Sequence, residues 1–201
     1  MRCNQNTVIE DSIVNLVPYR KEHVLQYNQW MSDPFLQETT ESEPLSLDEE
    51  YDMQRSWSED EDKCTFIILD CSLPDTPGTG QHGGRMAGDV NLFFNDPDER
   101  ATAEIEVMVA EEQSRRKGIS KRALQLFMAY AHTQLGVTLF RAKILESNSP
   151  SISLFSSLGY IEAKRVAVFK EVYMEYKVDT KEAIALQETA KAMVFKQYDQ
   201  E

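Results

Sequence analysis

The most informative pattern of apolar and polar positions lies in residues 103–131. Its first part alternates apolar and polar side chains, with Ile105, Val107 and Val109 on one side, which is the period of two of a β-strand. Its last part repeats apolar residues every three or four positions, the spacing of one helix face: Ile119, Ala123, Leu126, Phe127 and Tyr130. Residues 103–131 therefore predict a strand that runs through a short turn into an amphipathic helix.

The same two periods, with the turn-forming residues, predict the remaining elements. Before residue 103 they predict strands at 12–17, 64–71 and 86–94, helices at 19–31 and 46–57, an irregular stretch at 38–43 and a mobile loop at 72–85. After residue 131 they predict strands at 138–145, 161–170 and 172–178, a short helix from 148 and a terminal helix at 180–198. Ser46 and Glu49 form the pattern of a capping box at the start of the second helix.

The turn between the strand and the helix of residues 103–131 is basic and holds one glycine. This basic turn, residues 114–120, contains Arg115, Arg116 and Lys117 directly before Gly118. A helix that starts here leaves its first amide hydrogens unpaired, and they favour an anion. The GxxxxGK[ST] and GxGxxG patterns of nucleotide-binding loops are both absent. The basic turn thus predicts either a phosphate site of another kind or an ordinary solvated corner.

Composition and charge narrow the class of protein. A chain of 201 residues with 41% apolar and 27% charged residues is ordinary for one globular domain. No apolar run approaches the ~18 residues of a membrane helix, and the first residues lack the core of a signal peptide. We therefore expect no membrane association. We expect a cytosolic or nuclear protein whose cysteines are reduced.

The spacing of the cysteines and histidines argues against two kinds of site, and the net charge argues against one kind of partner. Three cysteines without CxxC spacing and three distant histidines predict neither disulfides nor a metal site. A net charge of −13 argues against a nucleic-acid partner, since phosphate binding requires a basic face. The acidic surface either serves solubility alone or favours a cationic partner such as an amino-terminus.

Two motifs, in this order, resemble those of the Gcn5-related N-acetyltransferase (GNAT) family. The family's acetyl-CoA loop, R/Q-x-x-G-x-G/A, is matched by Arg115 and Gly118, with Ser120 at its last position. Its later signature, N-x-x-S-x-x-x-[FY]-x-x-x-G-[FY], is matched by Asn148, Ser151, Phe155, Gly159 and Tyr160. The resemblance covers roughly residues 12–178 and implies an α+β fold, with a central, mostly antiparallel, splayed sheet of about seven strands flanked by helices. We expect residues 1–179 to form the acetyltransferase domain and 180–201 a C-terminal helical extension.

Other stretches are similar to particular branches of the family. VNLVPYRKEHVLQYNQWMSDP, GDVNLF and EIEVM look most like the RimJ/RimL branch, and SEPLSLDEEYDMQRSW and DKCTFIILD resemble the N-acetyltransferase nine subfamily. That resemblance implies acetyl transfer from acetyl-CoA to protein amino-termini, those of α- and β-tubulin, and hence a cytoplasmic, microtubule-associated protein. A small-amine acetyltransferase and a non-catalytic partner-binding protein of the same fold are the alternatives.

The resemblance also implies which residues contact the cofactor. The strand before the basic turn splays at a bulge, and its main chain binds the pantetheine arm, whereas the pyrophosphate lies on the amides of residues 116–120. The implied cofactor positions are Met108, Val109, Ala110, Arg115, Arg116, Lys117, Gly118, Ile119, Ser120, Asn148, Ser151 and Phe155. Many relatives have a tyrosine in place of Phe155 that protonates the departing thiolate. Here either solvent or Tyr160 supplies that proton, or catalysis is slow, or the activity is vestigial.

Glu104 and Glu106 are the candidate catalytic residues. Both point to the same strand face, opposite Ile105 and Val107. An amine must lose a proton before it attacks a thioester, so a base is needed. Glu106, nearer the expected cleft, is the candidate base, and the alternative is that it simply faces solvent. We expect the acceptor to be selected around residues 39–51 and by the last pair of strands. The acidic side chains of residues 39–51 either attract a cationic amine or only stabilise a helix start.

Overall fold

In the computed structural model, residues 1–80 and 82–198 are described, and their strands form one nine-stranded sheet. The strands are β1 Thr7–Glu10, β2 Val14–Pro18, β3 Lys63–Asp70, β4 Arg85–Phe93, β5 Thr102–Val109, β6 Leu139–Leu145, β7 Ile161–Val166, β8 Glu171–Lys177 and β9 Val194–Gln197. The α-helices are α1 Val24–Trp30, α2 Pro34–Thr40, α3 Leu47–Glu59, α4 Ile119–Leu135, α5 Ser149–Ser157 and α6 Thr180–Lys191. None of these helices is both long and apolar enough to cross a membrane.

The sheet has the order β7-β8-β6-β5-β4-β3-β2-β1-β9 and is antiparallel except between β5 and β6. The parallel pair is joined by α4, as a parallel connection requires a crossover. Pairing between β5 and β6 is confined to three positions and ends at Glu104 opposite Arg141, although both strands continue beyond that point. The mostly antiparallel, splayed α+β sheet is therefore confirmed, with nine strands in place of about seven.

Helices cover both faces of the sheet and divide the core into two parts. The amphipathic stripe predicted for α4 is confirmed, since all five of its residues are buried against one face. Phe66 of β3 meets the rings of Phe127 and Tyr130 of α4 edge-on, with ring centroids 5.6 Å and 5.4 Å apart. The opposite face carries α1 and α3, with Trp30 and Tyr19 among the buried aromatic residues. Each large side chain buried in this way contributes about 1.5–3 kcal/mol.

The first helices follow their capping residues. Ser46 caps α3 in the predicted capping box: Glu49 N–H donates to Ser46 Oγ (3.4 Å), and Ser46 N–H donates to Glu49 Oε2 (2.8 Å). The irregular stretch predicted at 38–43 is partly wrong, because α2 extends to Thr40. Asp33 caps α2 by accepting from Phe35 N–H (2.9 Å), and a proline at the first position suits a helix start.

The C-terminal segment contradicts the helix predicted at 180–198. Helix α6 ends at Lys191, and β9 follows and pairs antiparallel with β1, a strand that the sequence pattern did not predict. Both strands are only four residues long, too short for a clear period of two, so pairing with neighbouring strands decides their conformation: β1 lies between β2 and β9, and β9 pairs with β1. Leu186 and Met193 join the core beneath α4. Residues 199–201 of the predicted extension, and Gln81 of the predicted loop at 72–85, lie outside the described residues.

Candidate active site

The splay between β5 and β6 creates a site on the exposed side of β5. Its other side remains paired with β4 as far as Val109 opposite Gly88. Immediately beyond, the amides of Ala110 and Glu111 both donate to the carbonyl oxygen of Ala87, at 2.8 Å and 3.1 Å. Two residues opposite one is the arrangement of a β-bulge, which bends a strand. β5 therefore turns away from β6 just before the basic turn.

The alternation of the antiparallel ladder determines which main-chain groups of β5 are free. Main-chain groups of residues two apart in a strand point to the same side. The Ala110 N–H points to β4, and so do the main-chain groups of Met108. Those of Val107 and Val109 point the other way, toward the splay. The Val109 carbonyl there accepts from Arg115 Nε (3.0 Å). The Met108 side chain is buried and lines a cavity beside β5 that is described below. Val107 thus joins Val109 as a source of main-chain hydrogen bonds, a position that the sequence analysis did not select.

The basic turn has the backbone of an anion-binding loop. Arg116 and Gly118 both have positive φ, at 60° and 83°, and α4 begins at the next residue, Ile119. Gly118 occupies the N-cap position and has no side chain to cap the first turn, so the first amides of α4, including that of Ser120, have no partner within the helix. These amides and the positive end of the helix dipole favour a phosphate group.

Two cations of the basic turn hold it against the sheet. The Arg115 guanidinium donates to the carbonyls of Val109 (3.0 Å) and Ala110 (2.9 Å). Lys117 Nζ lies 3.6 Å from Asp70 Oδ2. Arg116 is exposed. The charges of Arg115 and Lys117 therefore remain beside the free amides while their donors secure the position of the loop.

Asp70, at the end of β3, anchors the basic turn, and the sequence analysis did not identify it. Its side chain is 1% exposed and accepts hydrogen bonds from Ser114 Oγ (2.7 Å) and from the amide and hydroxyl of Ser72 (2.9 Å and 2.6 Å). Burial alone would raise the pKa of Asp70, but these hydrogen bonds and Lys117 outweigh it and hold the pKa below its ordinary value. The signal available in the sequence was a lone carboxylate at the end of the apolar strand CTFIILD.

The second motif lies beside the basic turn. Asn148 caps α5, because its Oδ1 accepts from the amide of Ser151 (3.2 Å). Lys121 Nζ of α4 donates to the Ser157 carbonyl of α5 (3.4 Å), which joins the first turn of α4 to the end of α5. The two motifs that are separate in sequence thus meet at one side of the splay.

The aromatic residues of the second motif belong to the core. Phe155 is buried, and its ring centroid lies 4.9 Å from that of Tyr160. The Tyr160 hydroxyl donates to Met128 Sδ (3.5 Å), and burial raises the pKa of Tyr160 well above its ordinary value. Phe155 lines the cavity beside β5, whereas Tyr160 does not. Tyr160 is therefore not placed to give a proton to a reacting group.

A cavity of about 430 Å³, called the central cavity below, extends from the splay to the first helices. It is lined by Met108 of β5, by Asn148 and Phe155 of the second motif, and by residues 39–42 at the end of α2. The splay and the expected acceptor side therefore open into one continuous space.

Glu106 lies in the central cavity and has the properties of a base that works near neutral pH. Glu106 is exposed to solvent through the open cavity, while protein surrounds its carboxyl closely enough to disfavour the charged form. This burial, with the negative charge of Glu104 as the next contribution, raises the pKa of Glu106 to about 7. Lys63 acts in the opposite direction. A carboxyl that changes charge near pH 7 can both accept and release a proton.

Glu104, the second candidate, is engaged elsewhere. Its Oε2 lies 2.6 Å from Lys143 Nζ and also accepts from Asn95 Nδ2 (2.8 Å). The ion pair raises the pKa of Lys143, although partial burial alone would lower it. Glu104 therefore acts on the site as a fixed neighbouring charge, and Glu106 is the carboxyl of this pair that is free to exchange protons.

A row of buried polar side chains on β3 and β4 forms the floor of the central cavity. Asp89 is buried and accepts from Tyr27 Oη (3.1 Å) and Asn91 Nδ2 (2.7 Å), and its burial raises its pKa. Lys63 of β3 lines the same cavity. These residues carry a weak signal in the sequence that was not used to predict the site: Lys63 and Thr65, like Asp89 and Asn91, are polar residues spaced by two in apolar strands.

Residues 14–161 match a family model described as "Acetyltransferase (GNAT) domain". The chain belongs to the GNAT acetyltransferase family. It is 47% identical over 176 residues to an N-acetyltransferase 9-like protein of Nematostella vectensis, with 88% of each chain covered. It is 44% identical over 183 residues to the alpha/beta-tubulin-N-acetyltransferase 9 of Homo sapiens, with 90% of this chain and 88% of that one covered.

The GNAT fold is also found by comparison with solved structures. A spermidine N-acetyltransferase from Vibrio cholerae, solved in complex with CoA and spermine, superposes with a TM-score of 0.71 at 14% identity, covering 87% of this chain and 99% of that one. At that identity the match shows the fold alone. The family model and the relatives of more than 40% identity, not this superposition, identify the chain as an N-acetyltransferase.

The residues present fit a CoA-type cofactor. The main-chain groups of Val107 and the amide of Val109, whose carbonyl is bound by Arg115, suit the amide-containing arm of CoA, and the unpaired amides that follow Gly118 suit its pyrophosphate. Of the proposed cofactor residues, only Met108, Asn148, Ser151 and Phe155 line the central cavity itself. The basic turn therefore offers a second, more open part of the same site.

Proposed function

We propose that this protein transfers an acetyl group from acetyl-CoA to the α-amino group of protein amino-termini, and that α- and β-tubulin are its acceptors. One observation carries the proposal: Glu106, whose pKa is raised to about 7, lies in the central cavity beside the free side of β5. The tubulin acceptor is supported by the names of relatives that are 44% and 45% identical. A cytoplasmic, microtubule-associated location follows from the same proposal.

The residues of the chain divide the work of binding between them. The amides at the start of α4 would hold the pyrophosphate, and the main chain of Val107 and Val109 would hold the pantetheine arm. Asp70, through Ser114 and Lys117, keeps the basic turn in place. When bound, acetyl-CoA supplies the acetyl group as a thioester, which an uncharged amine can attack.

Glu106 prepares the amine for attack. An α-amino group has an ordinary pKa of about 7.7–8.0 and so arrives mostly protonated at pH 7. Ionised Glu106 accepts that proton, directly or through one water, and Asp89 and Glu104 remain nearby as acidic neighbours. Phe155 has no hydroxyl to donate and Tyr160 lies in the core, so proton return in the cavity falls to Glu106 and water.

A small cationic amine is the second candidate acceptor. The acidic side chains of Glu41, Asp60, Asp89 and Glu106 line the central cavity and favour a cation. The same four residues also favour a protonated peptide amino-terminus. Only a comparison of the two acceptor types decides between them.

Calorimetric titration with acetyl-CoA tests the cofactor site first. We expect wild-type protein to bind and Gly118→Glu to lose binding, because a carboxylate replaces the anion at the start of α4. Gly118→Asn is the matched control, since asparagine tolerates positive φ better than other residues and adds no charge. A folded wild-type protein that does not bind acetyl-CoA would instead support a non-catalytic, partner-binding role.

Mass spectrometry of acceptors tests the substrate. Peptides that carry the first residues of α- and β-tubulin are compared at equal concentration with unrelated amino-termini and with spermidine, each with acetyl-CoA. We expect a mass increase of one acetyl group on the α-amino group of the tubulin peptides. Faster acetylation of spermidine would replace the protein acceptor by a small amine.

A further inference from the structure

Lys63 is a buried cation in the central cavity whose ammonium has no hydrogen-bond acceptor. The residue is 2% exposed, and Nζ has no hydrogen-bond partner among the described residues. Nζ lies instead 3.4 Å from the ring centroid of Trp57 and 3.7 Å from that of Phe93. The two aromatic faces stabilise the cation and separate it from water. A charge in this position acts on its surroundings through space, by electrostatic attraction.

Carboxylates surround this cation. Burial lowers the pKa of Lys63 to about 8. The negative charges of Asp89, Glu106 and Asp60 raise that pKa, and Asp89 has the largest effect of the three. Lys63 therefore remains charged at pH 7. Because its screening by water is weak, its attraction for a carboxylate in the same cavity is stronger than that of a surface lysine.

The groups that face Glu106 come from three strands besides its own. Glu104 on β5 and Asp89 on β4 oppose its ionisation, and Lys63 on β3 and Lys143 on β6 favour it. Lys143 has its own ion pair with Glu104, so these two charges largely offset each other at Glu106. Lys63 is the cation whose charge is not committed to such a pair.

We propose that Lys63 is a positioning residue for acetyl transfer, whose ammonium, held between Trp57 and Phe93, favours the ionised form of the Glu106 carboxyl, the form that accepts the proton of the incoming amine. The proposal rests on the function proposed for Glu106. Burial and two neighbouring carboxylates disfavour the ionised form of Glu106, and only that form can act as a base, so the charge of Lys63 opposes their effect. Lys63 touches neither substrate nor cofactor in this role.

The pH profile of kcat/KM tests the proposal, with Lys63→Met as the variant. Methionine keeps the length of the side chain, removes the charge and packs well between aromatic rings. We expect the acidic limb of the profile to move upward by about one pH unit or more, with the acetyl-CoA dissociation constant unchanged. Lys63→Arg should return the limb toward its wild-type position. Lys191→Met, the same change at an exposed ion pair on α6, should leave the profile unchanged.

The outcomes separate this proposal from the proposed function. If Glu106→Gln removes the acidic limb but Lys63→Met leaves it in place, Glu106 is the base and the role of Lys63 is overturned. If Glu106→Gln leaves the limb intact, the base itself is wrong. A ¹³C NMR titration of the Glu106 carboxyl in wild-type protein and Lys63→Met gives the same answer without activity: an unchanged midpoint contradicts the proposal. Lys63→Leu serves for both measurements if the methionine variant does not fold.

Discussion

Glu104 Oε2 is bound to Lys143 Nζ at 2.6 Å, and this ion pair separates the roles of two glutamates on one face of β5. Glu106, two residues further on, has no ion pair among the described residues, and its pKa is raised to about 7. The two side chains are equivalent in the sequence pattern. The ion pair across the splay makes Glu104 a fixed charge, whereas the Glu106 carboxyl is left without such a pair and is the one proposed to accept a proton.

Glu106→Gln should lower kcat by about 10²–10⁴-fold, the usual contribution of a general base. Wild-type kcat/KM should rise with pH through about 7, as Glu106 ionises, and the variant should lose that limb. Isothermal calorimetry should show near-normal acetyl-CoA affinity, because the proposed cofactor site consists of main-chain groups of β5 and α4. Equal losses of affinity and turnover would count against a role as base.

The same substitution should change stability with pH. Because the pKa of Glu106 is raised in the folded state, its ionisation destabilises the fold: its favourable contribution is present below its ordinary pKa of 4.5 and is lost as the pH rises through about 7. Glu106→Gln should therefore raise the melting temperature relative to wild-type at pH 8 and have little effect at pH 4. Scanning calorimetry at both pH values checks this, and a variant that melts below wild-type at pH 8 would refute it.

Asp70→Asn should loosen the basic turn. It removes the charge that holds Lys117 and weakens the hydrogen bond from Ser114, so we expect a loss of about 1–3 kcal/mol in the free energy of unfolding and weaker acetyl-CoA binding. The pKa of Asp70 is lowered in the fold, so the difference from wild-type should be present above the ordinary pKa of 3.8 and shrink as the pH falls below it. Urea unfolding and calorimetry measure both.

Asp52→Asn is the control for that experiment. Asp52 pairs with Arg55 at 2.8 Å on the exposed face of α3, where an ion pair contributes about 0–1 kcal/mol. Unchanged acetyl-CoA affinity in Asp70→Asn, at a stability equal to that of Asp52→Asn, would show that Asp70 does not anchor the turn.

Gly88→Ala should displace β5. A Cβ atom at residue 88 would lie 1.9 Å from the main-chain oxygen of Met108, so one of the two strands must move. We expect a stability loss of about 1–3 kcal/mol, as for overpacking, and reduced acetyl-CoA affinity. Gly78→Ala is the control, since Gly78 has positive φ but open space around it. Gly78→Ala should lose some stability and keep its acetyl-CoA affinity. Normal affinity in Gly88→Ala together with reduced affinity in Gly78→Ala would disprove the close approach.

Ending the chain after Met193 should destabilise the fold. It removes β9 from the edge of β1, together with Tyr198, whose ring stacks 4.2 Å from that of His82 and whose hydroxyl donates to Glu22 (2.7 Å). Loss of a buried aromatic side chain alone corresponds to about 2 kcal/mol. Val194→Thr, at a half-exposed position of β9, should stay close to wild-type. A truncated protein as stable as wild-type in urea would show that β9 is dispensable.

The sequence predicted most of the fold because most elements carry their signals locally. The stripe of α4, the capping box at Ser46 and Glu49, and the alternation of β5 follow from residues within one element. Helix α2 was missed, although Asp33 and the proline after it are a helix-start signal. The following residues are mostly polar, so the short helix has no clear apolar stripe. β1 and β9 were missed because each is only four residues long and owes its conformation to pairing with neighbouring strands, β1 with β2 and β9, and β9 with β1.

The sequence by itself determined the family, the basic turn with Gly118 and the glutamate pair of β5, since these are short motifs whose spacing fixes their local backbone. Only the tertiary structure decided that Asp70 holds the turn, that Tyr160 lies in the core, and that Lys63 shares a cavity with Glu106. The physical reason is that charge, burial and proton affinity depend on neighbours brought together by strand pairing. Residues 63 and 106 belong to strands that are separated by β4, and nothing in their sequence spacing records that they share a cavity.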